Sequence, residues 1–320
     1  LRAEQNNMKG ISLGSKPLSM IIIPLLSVLY LLFAKYTSGL RSDHLALVVL
    51  VNSCFFISQY TRRLIAGMGI IIVYWIIFDS MKVWPNWAFN DVDIVPLYNL
   101  EKSIFGIQSG NNILTPNEYF LKNTNVFVDL LSGLFYLMWM PLPLFLAFYL
   151  YFKNKNLFLR FCMAFFTVNC LGFIVYYAYP AAPPWYIELH GPVLDVNTKS
   201  YAAGLLRFDN YFGIKLFEDL YAKGSNVFAA MPSMHSAFPL IGLIYSYKLR
   251  NRTLVVIFSI VMAGIWFGAV YLTHHYILDV IAGVICGFLG IILLENYLLK
   301  TKFFGNFMRS YENYISGYNI

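Results

Sequence analysis

Two short polar islands interrupt an otherwise apolar chain. The first, AAMPSMHSAF at residues 229–238, carries Ser233 and His235; the second, YLTHHYILDV at residues 271–280, carries His274, His275 and Asp279. Residues four apart on a helix share a face, so Asp279 is placed to reach one imidazole nitrogen of His275. A carboxylate there sets the ring's tautomer and stabilises its charged form, leaving the second nitrogen free to react. His274, five residues from Asp279, points away from that face and reads as a supporting or packing residue. In the first island Pro232 suits the first turn of a helix. Ser233 and His235 then stand at a helix N-terminus, where free N–H groups and the positive dipole end favour phosphate. These are the parts of a phosphoryl transfer. His235, His275 and Asp279 would also supply three ligands to a zinc ion.

The elements that must position these residues are membrane helices. The chain has 320 residues, 59% of them hydrophobic and only 12% charged, with a mean hydropathy of +0.61. A soluble domain does not need so much apolar surface, and several segments reach the ~20 residues that cross a bilayer core. Eight spans are expected, at 17–35, 44–60, 64–80, 126–151, 157–178, 233–249, 254–272 and 276–299. The first reads as a retained span rather than a cleaved signal. The expected organisation is an N-terminal cytoplasmic segment (1–16), N-terminal transmembrane helices (17–80) and an extracytoplasmic interfacial stretch (81–125). A catalytic transmembrane core (126–299) follows, with an extracytoplasmic loop at 179–232, and then a cytoplasmic tail (300–320).

Charge orients the spans. With the N-terminus cytoplasmic, 14 of the 23 Lys and Arg residues fall on the cytoplasmic side, against only Glu4, Glu295 and Glu312 of the 16 acidic residues. The positive-inside rule favours this arrangement, and it accounts for the net charge of +7 without a nucleic-acid partner. Both histidine islands then lie on the extracytoplasmic face. The four cysteines (Cys54, Cys162, Cys170 and Cys286) sit in apolar segments without a CxxC pair, so neither a disulfide framework nor a zinc site is indicated. Asn52 and Asn169 lie within spans and read as interhelical hydrogen-bonding residues. PAAPPWY at 180–186 brings Trp185 and Tyr186 to the headgroup level, as a loop anchor or as a wall for a lipid headgroup.

MPSMH followed by THHYILD resembles the second and third motifs of the type 2 phosphatidic acid phosphatase superfamily. More closely, the chain resembles the fungal-type inositol phosphorylceramide synthases. The stretches that carry this are 128–152, NCLGFIVYYAYPAAPPWY (169–186), AAGLLRFDNYFG (202–213), VFAAMPSMHS (227–236) and YLTHHYILDV (271–280). The resemblance implies an all-α membrane protein with a six-helix catalytic core and no metal or organic cofactor. Several positions depart from the hydrolase pattern. There is no Arg-Pro dipeptide, the Arg expected six residues before the nucleophilic histidine is Ala269, and the Gly between Ser and His is Met234. The missing arginines leave the phosphate to be neutralised by another residue. Arg207 is the first choice, ahead of Lys199, Lys215 and Lys223, with Asp209 orienting Arg207, contacting substrate, or capping a helix or loop.

The implied reaction moves phosphoinositol from phosphatidylinositol to ceramide. His275 acts as nucleophile, Asp279 orients it and His235 serves as acid and base. Ser233 and Arg207 hold the phosphoryl oxygens, with Trp185, Tyr186, Asp209 and His274 around the substrate. The alternative is a lipid phosphate phosphatase that uses the same histidines with water as acceptor. The active site is expected on the periplasmic side of a bacterial inner membrane, or in the Golgi lumen of a eukaryote.

Overall fold

Apolar runs punctuated by Asn, Pro and Gly fold here as a string of helices, one of them broken. The computed structural model describes residues 16–224 and 226–317, so the expected cytoplasmic segment 1–16 lies almost wholly outside the described residues. The chain begins with α1 (Lys16–Tyr36), α2 (Ser42–Ile57), α3 (Gln59–Gly67) and α4 (Gly69–Ser80). The α3/α4 pair bends by 49° at Met68. Asp79 at the end of α4 gathers Arg41 (2.7 Å), His44 (3.1 Å) and Lys82 (3.2 Å), which ties the start of α2 to the end of α4.

The stretch after α4 is folded, not merely interfacial. It holds α5 (Val95–Phe105), a two-stranded antiparallel hairpin of β1 (Ile107–Ser109) and β2 (Asn112–Leu114), and α6 (Pro116–Lys122). Helix α6 starts where Thr115 accepts from Glu118 N and Glu118 accepts from Thr115 N, a reciprocal cap that satisfies two otherwise orphan donors. The hairpin is the only named strand structure among the described residues, a small addition to the expected all-helical fold.

The long helices follow. They are α7 (Val126–Leu137), α8 (Pro141–Lys153) and α9 (Lys155–Ala178), the last capped by the Asn154 side chain on Leu157 N. Short helices α10 (Pro184–His190), α11 (Leu206–Phe212) and α12 (Leu216–Tyr221) occupy the next loop. Then come α13 (Met234–Lys248), α14 (Arg252–Tyr271), α15 (Ile277–Ile292) and α16 (Lys302–Ser316). A π-helical turn and a 3-10 turn extend α15 to Lys300.

Helices form at all eight expected places. Among the described residues, four are long and apolar enough to cross a membrane by themselves: Val126–Lys153, Lys155–Ala178, Arg252–Tyr271 and Ile277–Lys300. The bent α3/α4 pair makes a fifth if counted as one span. The count of eight is therefore not reached by length and apolarity. Helix α13 has 15 residues, about 22 Å at 1.5 Å per residue, against a core of roughly 30 Å.

Helix α13 is nonetheless central, packing against α14, α15, α9 and α8. Its crossing with α15 is tight because Gly283 carries no side chain. A Cβ there would overlap the Ser233 carbonyl oxygen and Ser236 Oγ. Glu295 sits toward the far end of the α15 span and binds Arg160, Lys248 (2.6 Å) and Tyr245 (2.7 Å). Helix α16 is amphipathic and buries Met308 and Ile315 against the ends of α3 and α9.

Candidate active site

The two polar islands meet at the N-terminal ends of α13 and α15. Ser233 is the residue before α13, and its N–H donates to the Asp279 carbonyl at 2.9 Å. Ser236 Oγ donates to Ser233 O at 2.7 Å and lies 3.1 Å from Val280 O, locking the two helix starts together. Pro232 precedes the cap instead of standing in the first turn, two residues before the first helical position. The Ser233 hydroxyl makes no capping bond and is buried without a partner.

His235 Nδ1 and His275 Nε2 lie 3.2 Å apart. Behind His275, Asp279 Oδ2 is 3.5 Å from Nδ1, an ion-pair separation rather than an aligned hydrogen bond. This proximity does not come from a shared helix face, as the spacing suggests. His275 is in the turn before α15, whose cap is Tyr276, and Asp279 is the third residue of the helix. Its Oδ2 accepts the Tyr276 N–H at 2.9 Å, so capping holds the carboxylate under the imidazole. The carboxylate beside Nδ1 assigns a proton to that nitrogen and leaves Nε2 with a lone pair toward His235.

His274 is a supporting residue. Its ring stacks with Tyr136 (5.3 Å between centroids) and with Tyr221 (4.7 Å), and Nε2 lies 3.0 Å from Ala202 O. Because the carbonyl only accepts, Nε2 carries the proton. Burial, with His275 adding to it, pushes the His274 pKa down to about 3, which the Ala202 carbonyl only partly opposes. The turn is held from below as well: His274 N and His275 N both donate to Ala269 O, at 3.0 and 2.9 Å.

One face of α7 supplies the remaining wall. Asp129, Ser132, Gly133 and Tyr136 recur at helical spacing, and all four are buried. Tyr136 stacks on His235 with centroids 4.8 Å apart, and Trp139 meets the same ring edge-on at 4.8 Å. Asp129 Oδ1 accepts from Arg207 Nε at 2.7 Å and from Tyr271 OH at 2.8 Å. The Arg207 guanidinium lies over the Tyr271 ring, 5.3 Å from its centroid, and its Nη2 is buried without a partner. Asp129 therefore orients Arg207, and Asp209 does not. Asp209 accepts from Phe217 N and Glu218 N, both at 2.9 Å, and caps α12. The capping role prevails because two orphan N–H groups at a helix start hold a buried carboxylate more firmly than one side chain.

Trp185 and Tyr186 belong to the support of the loop. Trp185 N donates to Thr273 O at 3.1 Å, fastening α10 to the histidine turn. Tyr186 is fully buried; its hydroxyl donates to Val193 O at 3.0 Å and accepts from Asp195 N at 2.6 Å. Both hydrogen-bonding functions of that hydroxyl are used within the loop, so Tyr186 packs against Phe228 as an anchor and not as a headgroup contact. Of the weaker cations, Lys215 pairs with Glu218 at 3.3 Å on the surface.

Two residues without a signal in the sequence hold the histidine turn. Glu101, fully buried on α5, accepts from Ile277 N at 3.0 Å and Leu278 N at 3.2 Å. Asn117 on α6 donates to both Val270 O and His275 O at 2.9 Å. Burial and the nearby Asp279 push the Glu101 pKa up, and the two N–H groups pull it back. Neither residue has a signal in the local sequence, since its partners lie more than 150 residues away. Glu101 in VPLYNLEKSIF reads as one charge on a solvated helix face. The loops around the site are knitted by backbone bonds: Asp93 N to Pro180 O (2.8 Å), Ala181 N to Phe228 O (2.9 Å) and Ala230 N to Ala181 O (3.2 Å). Among the described residues, no group of three or more His, Cys, Asp and Glu side chains is arranged to hold a metal ion.

Comparison with known proteins places the chain in a family. A family model described as PAP2 superfamily matches residues 109–293, which include both histidine islands, α7 and Arg207. The chain is 40% identical to the phosphoinositol dihydroceramide synthase of Bacteroides thetaiotaomicron, over 94% of this chain and 99% of that protein. It is 26% identical to the inositol phosphorylceramide synthase of Candida albicans, over 87% of this chain and 58% of that one. It is 25% identical to the inositol phosphorylceramide synthase catalytic subunit of Schizosaccharomyces pombe, over 81% and 61%. No solved structure matches. The chain belongs to the PAP2 superfamily and, within it, to the inositol phosphorylceramide synthase family of membrane phosphotransferases.

Proposed function

We propose that this protein transfers phosphoinositol from phosphatidylinositol to a ceramide and releases diacylglycerol. The observation that carries the reading is the pair His235 Nδ1 and His275 Nε2, 3.2 Å apart with Asp279 behind His275. The phosphodiester enters between the rings and parts them. His275 Nε2 attacks phosphorus, the bond to the diacylglycerol oxygen breaks, and protonated His235 gives that oxygen its proton. His235 then takes a proton from the incoming ceramide hydroxyl, whose oxygen attacks the phosphohistidine. The P–N bond breaks, His275 is restored, and His235 keeps the proton for the next turnover. Asp279 stabilises the ring of His275 while it is charged. The unpartnered Nη2 of Arg207 and Oγ of Ser233 supply donors to the phosphoryl oxygens as charge shifts among them.

The same reading spans the membrane eight times. The catalytic core at 126–299 is built on α7/α8, α9, α13, α14 and α15, and the histidines face the extracytoplasmic side. The distribution of charge supports it: Arg160, Lys248 and Glu295 cluster at the end of the bundle away from the histidine turn. Names of relatives support the choice of headgroup and acceptor. The test uses purified protein with labelled phosphatidylinositol, with and without ceramide. Ceramide-dependent appearance of a labelled sphingolipid is the expected result. Phosphate release from phosphatidic acid with no transfer would instead make the protein a lipid phosphate phosphatase.

A further inference from the structure

The end of the bundle away from the histidines carries a helix that the transfer reaction does not use. Helix α15 with its extension runs 24 residues from Ile277, beside the histidine turn, to Lys300, about 36 Å. There the chain turns sharply. Thr301 caps a new helix by accepting from Phe304 N at 3.3 Å, and α16 follows from Lys302 to Ser316. Its 15 residues span about 22 Å. It starts at the end of α15 and finishes against α3, where the Tyr311 hydroxyl donates to the Ala66 carbonyl. On the way it meets the start of α9, where Asn156 Nδ2 donates to Glu312 Oε2 at 2.8 Å. Helix α16 therefore crosses the end of the bundle instead of continuing a span.

The helix has three sides. At about 100° per residue, Phe304, Met308, Tyr311 and Ile315 share the side that packs on the core. Lys302, Asn306, Arg309 and Asn313 share a polar side. On the flank between them stand Phe303 and Phe307, four residues apart and 84% and 44% exposed. A lone exposed apolar residue needs no partner, but two large adjacent rings form a patch. That patch is too small for a stable protein interface, which buries about 800 Å² a side. It matches the shallow insertion, about 5–10 Å deep, of a helix lying in a bilayer surface. The same rim carries exposed Tyr60, Tyr247 and Tyr297, a residue type that gathers at membrane–water boundaries.

The charges fit the same environment. Lys300, Lys302 and Arg309 are exposed, and among the described residues no carboxylate pairs with them. Lys302 stands in the first turn, where the helix dipole disfavours a cation, so it does not serve the stability of the helix. Glu312, the one acid of α16, is bonded to Asn156. The unbalanced charge is positive and complements an anionic phospholipid surface.

We propose that α16 is an interfacial helix of the leaflet opposite the histidines, with Phe303 and Phe307 set among the acyl chains and Lys300, Lys302 and Arg309 gathering anionic phospholipid. The inference rests on the reading of α15 as a membrane span and is independent of the reaction catalysed. Its test places the full chain in nanodiscs of equimolar phosphatidylcholine and phosphatidylglycerol and uses Phe303→Trp, an exposed ring-for-ring change. The signal of the 6 native tryptophans is subtracted with the wild type. Two disc preparations share one composition and differ only in which lipid carries bromine, a short-range quencher of tryptophan. The added tryptophan is expected to be quenched by lipid bromine and shielded from aqueous acrylamide. Quenching by brominated phosphatidylglycerol should exceed that by brominated phosphatidylcholine about 2-fold or more. Adding Lys302→Gln and Arg309→Gln, both at exposed positions, should bring the two to parity. Acrylamide quenching without bromine quenching overturns the proposal. Shielding from both quenchers also overturns it, since a protein surface would then cover the helix. Equal quenching by the two brominated lipids before the charges are removed overturns the assignment of anionic lipid. Trp75, exposed on α4, reports with the other native tryptophans on the bundle itself. If bromine reaches them and not the added one, only the proposal for α16 fails; if it reaches neither, the membrane reading fails with it.

Discussion

Arg207 and Asp129, 78 residues apart in the chain, form an ion pair with Nε 2.7 Å from Oδ1, and the pair leaves the arginine's Nη2 buried and free. A guanidinium held at one edge presents the other edge to an anion. Arg207→Ala should therefore lower kcat for headgroup transfer by on the order of 10²- to 10³-fold. Arg207→Lys should not restore it, because a lysine cannot pair with Asp129 and a phosphoryl oxygen in the same fork geometry. Asp129→Asn keeps an acceptor but loses the charge, with an expected loss of about tenfold. Wild-type rates in Arg207→Ala would remove Arg207 from the phosphate site.

The histidine pair divides into two roles that kinetics can separate. His275→Ala should abolish turnover, and His235→Ala should slow it by roughly 10²- to 10⁴-fold, the range for loss of a general acid and base. Wild-type protein given inositol-labelled phosphatidylinositol without ceramide should carry label that survives base and is lost in acid, as expected of a phosphohistidine. Label of the same kind on His275→Ala would falsify the nucleophile assignment.

His274 gives a pH prediction with a definite sign. Its pKa in the folded protein, about 3, is below the ordinary 6.5. The unfolded chain therefore binds the extra proton first on acidification. The stability contributed by neutral His274 is complete above pH 6.5 and is lost as the pH falls from 6.5 toward 3, with a slope of at most about 1.4 kcal/mol per pH unit. His274→Gln keeps a donor for the Ala202 carbonyl and removes the titration. Its melting temperature in detergent should fall less steeply over that range than that of the wild type. Identical acid limbs in the two proteins would assign the loss to other groups.

Glu101 acts through the turn, not on the substrate. Glu101→Ala leaves the Ile277 and Leu278 N–H groups without a protein acceptor, at about 1–3 kcal/mol each if they stay dry. Melting temperature and kcat should both fall, and Glu101→Gln, which retains one acceptor oxygen, should recover part of each. Full activity in Glu101→Ala at an unchanged melting temperature would show that α15 holds its start without this carboxylate.

The histidine islands were legible because their chemistry is local. Ser233 and His235 stand two residues apart, and His275 and Asp279 four apart, so any helix start there brings them near one another. Even so, the reason for the second proximity was misread. The spacing suggested a shared helix face, whereas the contact arises because Asp279 caps a helix that starts after His275. Arg207 stands out in the sequence by its place in the family-like AAGLLRFDNYFG stretch, and Asp209 reads equally as its partner or as a cap; the structure gives Asp209 the cap and pairs Arg207 with Asp129 on a different helix. PAAPPWY reads either as a loop anchor or as a headgroup wall, and nothing in that stretch reveals that Val193 and Asp195 occupy the Tyr186 hydroxyl.

Apolar runs and their punctuation by themselves marked this chain as helical and membrane-embedded, and two polar islands with a family-like motif pattern marked phosphoryl transfer as the chemistry to expect. Both are properties of neighbours in the chain, set by helical periodicity and by the cost of exposing apolar surface to water. Only the tertiary structure decided which groups face the histidines. It brought Asp129 and Tyr136 from α7, Glu101 from α5 and Asn117 from α6 to the neighbourhood of one turn. Those contacts join residues 78 to 177 positions apart. They are selected by which buried donors and acceptors can satisfy one another once the helices pack, a condition that no local pattern encodes.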